Sequence, residues 1–340
     1  MGIWDLDFGF GVLTILQQQV RRTIRRQALC PPGTRLLIAV SGGSDSIALT
    51  LLLREIAEHA DFSVVSLAHF NHRLRPTADR DEQFCREFAA RIGLPLAIDA
   101  VEVQVYAASE RLSVENAARR ARYAFLHRAA ADTGADRIAV GHTRDDQAET
   151  FLLKLIRGAG LSGLGGIYPR RGAVIRPLLD VSRGDLREYL LRLGQGWVED
   201  ESNQSLDNPR NRIRHRVLPE LDAAYGGPAR PGIARAAALA REDGQWLDDL
   251  ADRRFEALAA LTPGGLELDA TMLAAEPAPI QRRILLKAMR TLSGTREIGL
   301  EHVEAALEVI GGACAGAEVP GSRLELRRGK VVLLGRVASA

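Results

Sequence analysis

An apolar strand, a glycine-serine turn and an apolar helix follow one another near the start of the chain, and this order constrains the fold most. Residues 36–40 form a short apolar run typical of a buried strand, and residues 47–56 predict a largely apolar helix. The turn between them reads Ser41-Gly42-Gly43-Ser44-Asp45-Ser46. Glycine lets a backbone approach a ligand, and free N–H groups at a helix start favour an anion, so the turn predicts an anion site. A tight turn capped by serine is the alternative that needs no ligand.

The turn differs from the two best-known phosphate loops. It lacks the Gly-Lys-Ser/Thr of the mononucleotide P-loop and the G-x-G-x-x-G of dinucleotide-binding folds, and all three lysines of the chain lie elsewhere. Asp45 stands in the turn instead. A carboxylate beside a phosphate is favourable when Mg²⁺ lies between them, so we expect Asp45 to hold Mg²⁺.

Predicted strands and helices alternate over the first part of the chain, which indicates an α/β fold with a doubly wound parallel sheet. The predicted strands are 36–40, 63–69, 96–101, 137–141 and 173–176. The predicted helices are 11–28, 46–59, 79–92, 113–132, 145–157 and 183–194. Ligands of such sheets lie at the carboxyl ends of the strands, and the polar segments of this chain follow those ends.

A second, smaller and mostly helical α+β domain is predicted after a linker. Segment 223–232 holds two prolines and three glycines, which is typical of a linker. Residues 323–335 predict a β-hairpin with Gly329 in its turn. The amphipathic helices before it are 241–261, 278–290 and 300–310. The predicted division is 1–222, linker 223–232, and 233–340.

Composition narrows the class of protein. A chain of 340 residues with 46% hydrophobic and 26% charged residues is ordinary for a globular protein of two domains. No apolar run reaches membrane-spanning length and no signal peptide is recognisable, so we expect a cytoplasmic protein with no membrane partner. Cys30, Cys85 and Cys314 are too scattered for a disulfide framework or a CxxC metal pair.

The second predicted strand ends in a polar segment. His69 and His72 could form half of a metal site, but no third ligand is near in sequence, which disfavours zinc. His69 and Asn71 are therefore expected to shape a nucleotide pocket, and Asn71 and Arg75 to supply polar groups for ATP or RNA.

Two segments are rich in arginine. In the helix predicted at 113–132, with Ser113 as its N-cap, Glu115, Arg119 and Arg122 share one face, for which a solvated salt-bridged surface is the alternative. The second segment has few acids to neutralise it, which favours phosphate binding. On a helix, Arg210 and Arg214 would share one face, and Arg212 and Arg216 another.

Acids gather after the strand that ends at Gly141. His142, Asp145, Asp146 and Glu149 surround the start of a helix, and the three acids face one side of its first turns. Capping of the helix explains the presence of one acid, but it does not require three acids together with a histidine. Two uses fit better, namely holding Mg²⁺ together with Asp45 or gripping a cationic substrate. The loop 158–166 holds five glycines and is a candidate lid.

These segments resemble the PP-loop superfamily of ATP pyrophosphatases, and within it the tRNA(Ile)-lysidine synthetase family. The turn SGGSDS carries the superfamily resemblance, and five further motifs match the family in the same order. The similarity spans about residues 35 to 220 and is weaker in the tail, which looks like the family's substrate-recognition domain. The further motifs are HFNHRLR (69–75), ENAARRARY (115–123), GHTRDDQAETFLLKLIRGAGLSGL (141–164), RPLL (176–179) and EDESN with RNRIRHRVLP (199–219).

The resemblance implies a reaction. ATP adenylates O2 of cytidine 34 in the CAU anticodon of tRNA(Ile), and pyrophosphate leaves. The ε-amine of free lysine then attacks C2, releasing AMP and leaving lysidine. ATP, Mg²⁺, lysine and the tRNA are the implied ligands, and a homodimer is left open.

The resemblance also implies residue roles. Ser41 to Ser46 cradle pyrophosphate and Asp45 with Asp146 hold Mg²⁺, while Glu149 with Asp145 or Asp146 binds the ammonium groups of lysine. His142 orients a carboxylate or assists proton transfer. Arg122 and Arg214 stabilise phosphate charge or place the RNA, and the other arginines contact substrate. Those others are Arg119, Arg210, Arg212 and Arg216.

Two rival functions are tRNA 2-thiolation by another PP-loop enzyme and RNA binding by an inactive PP-loop domain. Thiolation uses cysteine chemistry, against which the scattered cysteines argue. Inactivity would be favoured by loss of Asp45 or of the acids at 145–149, and all of these are present.

Overall fold

The computed structural model describes residues 14–73, 77–110, 112–199, 205–294 and 298–335. They form two compact units, which divide between Leu239 and Ala240. The division falls inside a helix, whereas the sequence predicted it in the segment 223–232.

The first unit contains a six-stranded sheet in the order β3-β2-β1-β4-β6-β5. All neighbouring strands are parallel except β5 and β6, which form a short antiparallel pair. The strands are β1 (Thr34–Ala39), β2 (Phe62–Asn71), β3 (Leu96–Ala100), β4 (Arg137–Ala139), β5 (Arg170–Arg171) and β6 (Val174–Ile175).

Helices cover both faces of this sheet. Along β1, Leu36 and Ile38 pack in the core with the apolar face of α2, whereas Leu37 packs on the opposite face with Phe125 and Leu126. A central strand buried on both sides explains its continuous apolar run and confirms the doubly wound fold. The helices that precede the acidic segment are α1 (Ile15–Arg26), α2 (Ser44–Ala57), α3 (Ala78–Ile92), α4 (Val103–Glu110) and α5 (Val114–Thr133).

The rest of the first unit supplies the elements around the strand ends. The helices are α6 (Arg144–Ile156), α7 (Leu161–Leu164), α8 (Arg183–Arg192), α9 (Pro209–Arg212) and α10 (Leu218–Tyr225). A π-helical turn, Ile213–Val217, joins α9 to α10. Such turns widen a helix by one residue and are frequent at functional sites.

The second unit contains a five-stranded antiparallel sheet in the order β7-β8-β11-β10-β9. The strands are β7 (Ala259–Thr262), β8 (Gly265–Asp269), β9 (Gly316–Val319), β10 (Ser322–Arg327) and β11 (Lys330–Leu334). The helices are α11 (Arg230–Leu258), which begins in the first unit, α12 (Ala270–Ala274), α13 (Ala278–Ser293) and α14 (Leu300–Ile310).

The predicted hairpin is confirmed, because β10 and β11 pair around Arg328 and Gly329, both of which have positive φ. A second hairpin, β7 with β8, replaces the last residues of the helix predicted at 241–261. Among the described residues, no helix combines the length and apolar character that crossing a membrane requires.

Candidate active site

The turn after β1 is shaped by its own serines and glycines. Gly42 has a φ of +86° and Gly43 is the N-cap of α2, so no side chain caps this helix. The Ser46 hydroxyl donates to the Gly43 carbonyl over 2.9 Å and accepts from the Ser41 N–H over 3.1 Å. The serine-capped turn is therefore absent, and the start of α2 faces the turn as an anion site requires.

Two segments approach this turn too closely for larger residues. A Cβ on Gly42 would lie 3.3 Å from Cγ2 of Val198, and the Val198 N–H donates to the Gly42 carbonyl over 2.9 Å. A Cβ on Gly141 would lie 3.1 Å from the carbonyl oxygen of Asp45. The end of β4 and the segment before Glu199 thus hold the turn in place, whereas the motif residues 200–203 lie outside the described residues.

Four acids, here called the acid cluster, come from the turn and the start of α6: Asp45, Asp145, Asp146 and Glu149. Thr143 caps α6, and Oδ2 of Asp146 accepts from the Thr143 N–H over 2.8 Å and from its hydroxyl over 2.9 Å. Glu149, one turn further, is fully buried. The capping box therefore explains one oxygen of Asp146 and leaves the other acid groups for different partners.

Arg183, the first residue of α8, joins the acid cluster. Its Nε lies 3.1 Å from Oδ2 of Asp45, its Nη2 lies 2.9 Å from Oδ1 of Asp146, and its Nη1 lies 3.7 Å from Oε1 of Glu149. Burial alone would lower the pKa of Arg183, but the surrounding acids raise it above its usual value. Arg183 is therefore a buried cation at the point where the acids meet.

The same contacts shift the carboxyl groups in opposite directions. Burial raises the pKa of Asp45, Arg183 opposes this rise, and the nearby carboxylate of Asp146 adds to it. Burial also acts to raise the pKa of Asp146, but Arg183, His142 and the Thr143 hydrogen bonds together lower it. Asp146 is the more firmly ionised of the two, and a further cation near Asp45 would be stabilising.

The segment 210–216 contacts Glu149. Arg214, in the π-helical turn, binds Glu149 in a bidentate manner, with Nε 2.6 Å from Oε1 and Nη2 2.9 Å from Oε2. Arg210 lies 4.0 Å from Glu149 and donates to the Thr150 hydroxyl over 3.0 Å. Arg210 and Arg214 therefore share a helix face, as the spacing predicted, and that face meets α6.

Asp145 bridges two other elements. Its Oδ2 accepts from the backbone N–H of Arg183 over 2.9 Å, and its Oδ1 lies 3.2 Å from Nε of Arg230. Arg230 also pairs with Asp222 of α10, and it is the first residue of α11. Asp145 thus anchors the starts of both α8 and α11.

His142 is neutral at neutral pH. Burial lowers its pKa to about 4, and the nearby Arg176, Arg122 and Arg210 act in the same direction, although Asp146 opposes them. Its Nδ1 accepts from Nε of Arg176 over 3.3 Å, which leaves the proton on Nε2. His142 can therefore donate a hydrogen bond but does not carry a positive charge at pH 7.

Arg119 and Arg122 lie on α5 beside an aromatic ring. Their guanidinium carbons are 5.1 Å and 5.5 Å from the centre of the Tyr123 ring. Arg119 is exposed, whereas burial lowers the pKa of Arg122. Arg122 acts to lower the pKa of His142, whereas Arg119 lies on the surface.

The other predicted site residues have partners inside the protein or face solvent. The His69 ring contacts the Val40 carbonyl through Nδ1 at 3.0 Å, and Asn71 donates to Glu82 over 3.0 Å, so both tie β2 to its neighbours. Arg212 donates to the carbonyls of Leu206 and Asp207. Arg216 is exposed. Arg75 lies outside the described residues.

The glycine-rich loop after α6 is held by a buried glutamine. Gln147 donates to the Gly165 carbonyl over 3.2 Å and accepts from the Ile167 N–H over 2.6 Å. Gly166 has a φ of +68°, and a Cβ there would lie 2.7 Å from Oε1 of Gln147. Part of the predicted lid is thus the short helix α7, pinned to α6.

Two carboxylates of the acid cluster suit a magnesium ion. No group of three His, Cys, Asp or Glu that could hold a metal occurs within the described parts of the chain. Mg²⁺ commonly takes only one or two protein carboxylates and completes its shell with phosphates and water. Asp45 and Asp146, which meet at one guanidinium, fit that smaller requirement.

Sequence reasoning missed Arg183 and Arg230. Arg183 is 138 residues from Asp45 and Arg230 is 85 residues from Asp145, so no local pattern links either arginine to its acid. A weak signal existed for Arg183, because it follows a serine at a helix start, where an acid rather than an arginine is favoured.

Residues 13–221 match the family model of the PP-loop domain. The tRNA(Ile)-lysidine synthase of Geobacter sulfurreducens is 38% identical over 85% of this chain and 62% of its own length. That of Symbiobacterium thermophilum is 39% identical over 87% of this chain and 64% of its length. The chain thus spans less than two thirds of these two relatives.

A shorter relative is covered more fully. The tRNA(Ile)-lysidine synthase of Chlorobaculum tepidum is 34% identical over 82% of this chain and 84% of its own length. Among solved structures, a U34-tRNA thiolase from Methanococcus maripaludis superposes with a TM-score of 0.54 at 18% identity, covering 67% of this chain and 77% of that one. The structural likeness shows a shared fold.

Proposed function

The chain belongs to the tRNA(Ile)-lysidine synthase family of PP-loop proteins, and from this premise we propose that it ligates lysine to a tRNA anticodon at the expense of ATP. The substrate is cytidine 34 of tRNA(Ile) with the CAU anticodon, and the products are lysidine, AMP and pyrophosphate. One observation carries the proposal. The Asp45 carboxylate of the turn 41–46, here called the phosphate turn, meets Asp146 and Glu149 of α6 at the guanidinium of Arg183. An anion site and a cation site therefore adjoin, as joining a nucleotide to an amine requires.

ATP is held at the turn from Ser41 to Ser46. The free N–H groups at the start of α2 would bind phosphate oxygens, and the positive φ of Gly42, without a side chain, would allow their close approach. Mg²⁺, when bound by Asp45 and Asp146, neutralises negative charge on the pyrophosphate leaving group. Arg214 contacts Glu149 of the acid cluster and Arg122 acts on His142, and both are assigned to support the same charge.

Lysine is held by the acids of α6. Glu149 presents two oxygens that Arg214 already occupies, so the lysine ammonium shares Glu149 with Arg214 or binds at Asp145 or Asp146. The neutral His142 supports this arrangement, because an imidazolium there would repel the ammonium. Its Nε2 proton suits it to orient a carboxylate.

The tRNA contributes phosphates and an unstacked base. Cytidine 34 must leave its stack for its O2 to reach ATP, which single-stranded anticodon loops permit. Arg119 and Arg216 are exposed and are assigned to the RNA backbone, together with Arg210. Arg212 holds the 205–208 segment through two carbonyls, so its contribution to RNA contact is indirect. The cytoplasm is the compartment we assign to the reaction.

Thiolation is less well supported. Burial raises the pKa of the Cys30 and Cys85 thiols to about 12, so neither is a ready nucleophile. Cys314 is exposed but lies in the second unit, apart from the phosphate turn in sequence. The acid cluster, by contrast, has a use in binding an amine.

The deciding experiment incubates the chain with ATP, Mg²⁺, lysine and the tRNA(Ile) transcript. Lysidine should be found by nucleoside mass analysis, with AMP and pyrophosphate in equal amounts. Asp45→Ala should abolish all three products and retain the fold, whereas Asp132→Ala, a change at an exposed acid of α5, serves as control. ADP and inorganic phosphate as products would refute the PP-loop chemistry, and thiolated nucleoside would favour the rival.

A further inference from the structure

Arg183 contacts every member of the acid cluster but has no role in the chemistry assigned above. Its guanidinium reaches Asp45, Asp146 and Glu149, and its backbone N–H donates to Asp145. These acids belong to the turn after β1 and to α6. The Arg183 guanidinium therefore lies where a positively charged ligand of these acids would have to bind.

Charge balance makes Arg183 the counter-ion of two acids in particular. Glu149 already has a bidentate partner in Arg214. Asp45 and Asp146 each accept a hydrogen bond from the same guanidinium, over 3.1 Å from Nε and 2.9 Å from Nη2 of Arg183. The Arg183 side chain is only 18% exposed, so solvent screens this interaction little. Arg214 also lies 3.7 Å from Asp146, so Arg183 is the nearer cation for Asp146 and the one that contacts Asp45.

We propose that the Arg183 guanidinium occupies the place of a divalent cation between Asp45 and Asp146, and that the cation displaces it on binding. The inference rests on the proposed function for the choice of Mg²⁺ as the ligand. Two protein carboxylates are the number that Mg²⁺ commonly uses beside phosphates. Arg183 thus lowers the affinity for the metal while no nucleotide is bound.

The way α8 begins allows this exchange. Ser182 caps the helix by accepting from the Asp185 N–H over 3.1 Å, and the Arg183 N–H stays on Asp145. The backbone of Arg183 is therefore anchored independently of its guanidinium. The side chain can turn away without unwinding α8, and beside the phosphate turn a released guanidinium can meet phosphate oxygens.

Mn²⁺ binding to the full chain without nucleotide tests the proposal. Mn²⁺ is a paramagnetic probe for a carboxylate site that takes Mg²⁺, and free Mn²⁺ is counted by electron paramagnetic resonance. Arg183→Gln removes the competing charge and should bind Mn²⁺ about tenfold more tightly than the unaltered chain. Adding Asp45→Asn to Arg183→Gln should remove that gain. An unchanged or weaker affinity in folded Arg183→Gln would overturn the proposal.

A matched control variant and a second measurement test the same displacement of Arg183. Arg192→Gln removes an exposed arginine from the end of the same helix and should leave Mn²⁺ affinity unchanged. In the unaltered chain, the Nε–H of Arg183 donates to Asp45 and should exchange with water faster once Mg²⁺ saturates the site. Its resonance is assigned by its loss in Arg183→Lys. An exchange rate that Mg²⁺ does not alter would refute displacement. This result does not depend on whether Arg183→Gln folds.

Neither measurement uses lysine or tRNA. A chain that binds Mn²⁺ as expected but forms no lysidine would contradict the proposed function alone. A chain that forms lysidine while Arg183→Gln gains no metal affinity would contradict the displacement alone.

Discussion

The phosphate turn and the acid cluster adjoin in space but are built in different ways. Within the turn, the serine side-chain hydrogen bonds join residues at most five apart, as between Ser41 and Ser46. The ion pairs of the acid cluster join residues far apart, 65 positions between Glu149 and Arg214 and 138 between Asp45 and Arg183. A site made of local bonds can be recognised in a sequence, whereas a site made of distant ion pairs depends on the completed fold.

Removing the Glu149 carboxylate should lower the stability of the chain most. A small loss would contradict the view that distant ion pairs hold the acid cluster together. Glu149→Ala removes a buried carboxylate and takes the bidentate partner from Arg214, whose side chain is 17% exposed, so the free energy of unfolding should fall by about 3–5 kcal/mol. Urea denaturation measures this change. Glu188→Ala, which removes an exposed acid from α8, should cost less than about 1 kcal/mol. Equal losses in the two variants would mean that Glu149 behaves as a surface acid.

His142, which precedes the acids of α6, should make stability depend on pH. The pKa of His142 is about 4 in the folded chain and 6.5 when unperturbed, so between these values the unfolded state binds a proton that the folded state does not. His142 therefore stabilises the fold above pH 6.5 and loses this contribution as the pH falls through 4. Relative to His142→Asn, the free energy of unfolding of the unaltered chain should fall by up to about 3 kcal/mol from pH 7 to pH 4.

Denaturant titrations of both chains at several pH values provide the measurement. Asparagine keeps an oxygen that can accept from Arg176, which makes the substitution a test of titration rather than of a lost hydrogen bond. A difference between the two chains that stays constant over this range would show that His142 is not held neutral.

A methyl group in the turn should act on function more than on stability. Gly42→Ala places a side chain at positive φ, which costs about 1–2 kcal/mol, and sets its Cβ 3.3 Å from Val198. Gly158→Ala meets the same backbone strain at a φ of +70° with nothing within 4 Å. Gly42→Ala should lose somewhat more stability than Gly158→Ala because of this contact, but only Gly42→Ala should weaken ATP binding, measured by calorimetry. Equal ATP affinity would separate the turn from the nucleotide.

Local patterns in the sequence predicted most of the first unit. The apolar run of β1 and the helices around it are set by hydrophobic periodicity and by the parallel sheet they build. The pattern failed at α4 and at the hairpin of β7 and β8. There, residues 259–261 were predicted as the end of a helix, but they pair with 266–268 across a Pro-Gly turn. Pairing with β8 determines the structure of this segment, and the hydrophobic periodicity of a helix does not reveal such pairing.

The candidate site likewise has parts that the sequence predicted and parts that it did not. The acids after Gly141 and the arginines at 210 and 214 were predicted because each set lies on one helix face. That the two faces meet was not predictable from either set. His69 and Asn71 were expected at a nucleotide pocket on the strength of their place after a strand, and their polar atoms instead contact Val40 and Glu82. Whether ATP reaches these two residues stays a prediction.

The helix α11 has a consequence for dividing or recombining this protein. Its first residue, Arg230, holds Asp145 of the acid cluster, while the same helix continues past Leu239 into the second unit. A chain cut at Tyr225, in the segment that the sequence predicted to be a linker, would lose the ion-pair partner of Asp145 along with the second unit. Exchanging tails between relatives at that point would likewise replace part of the active site. A junction after Leu239 is the one that would leave each module with its own residues.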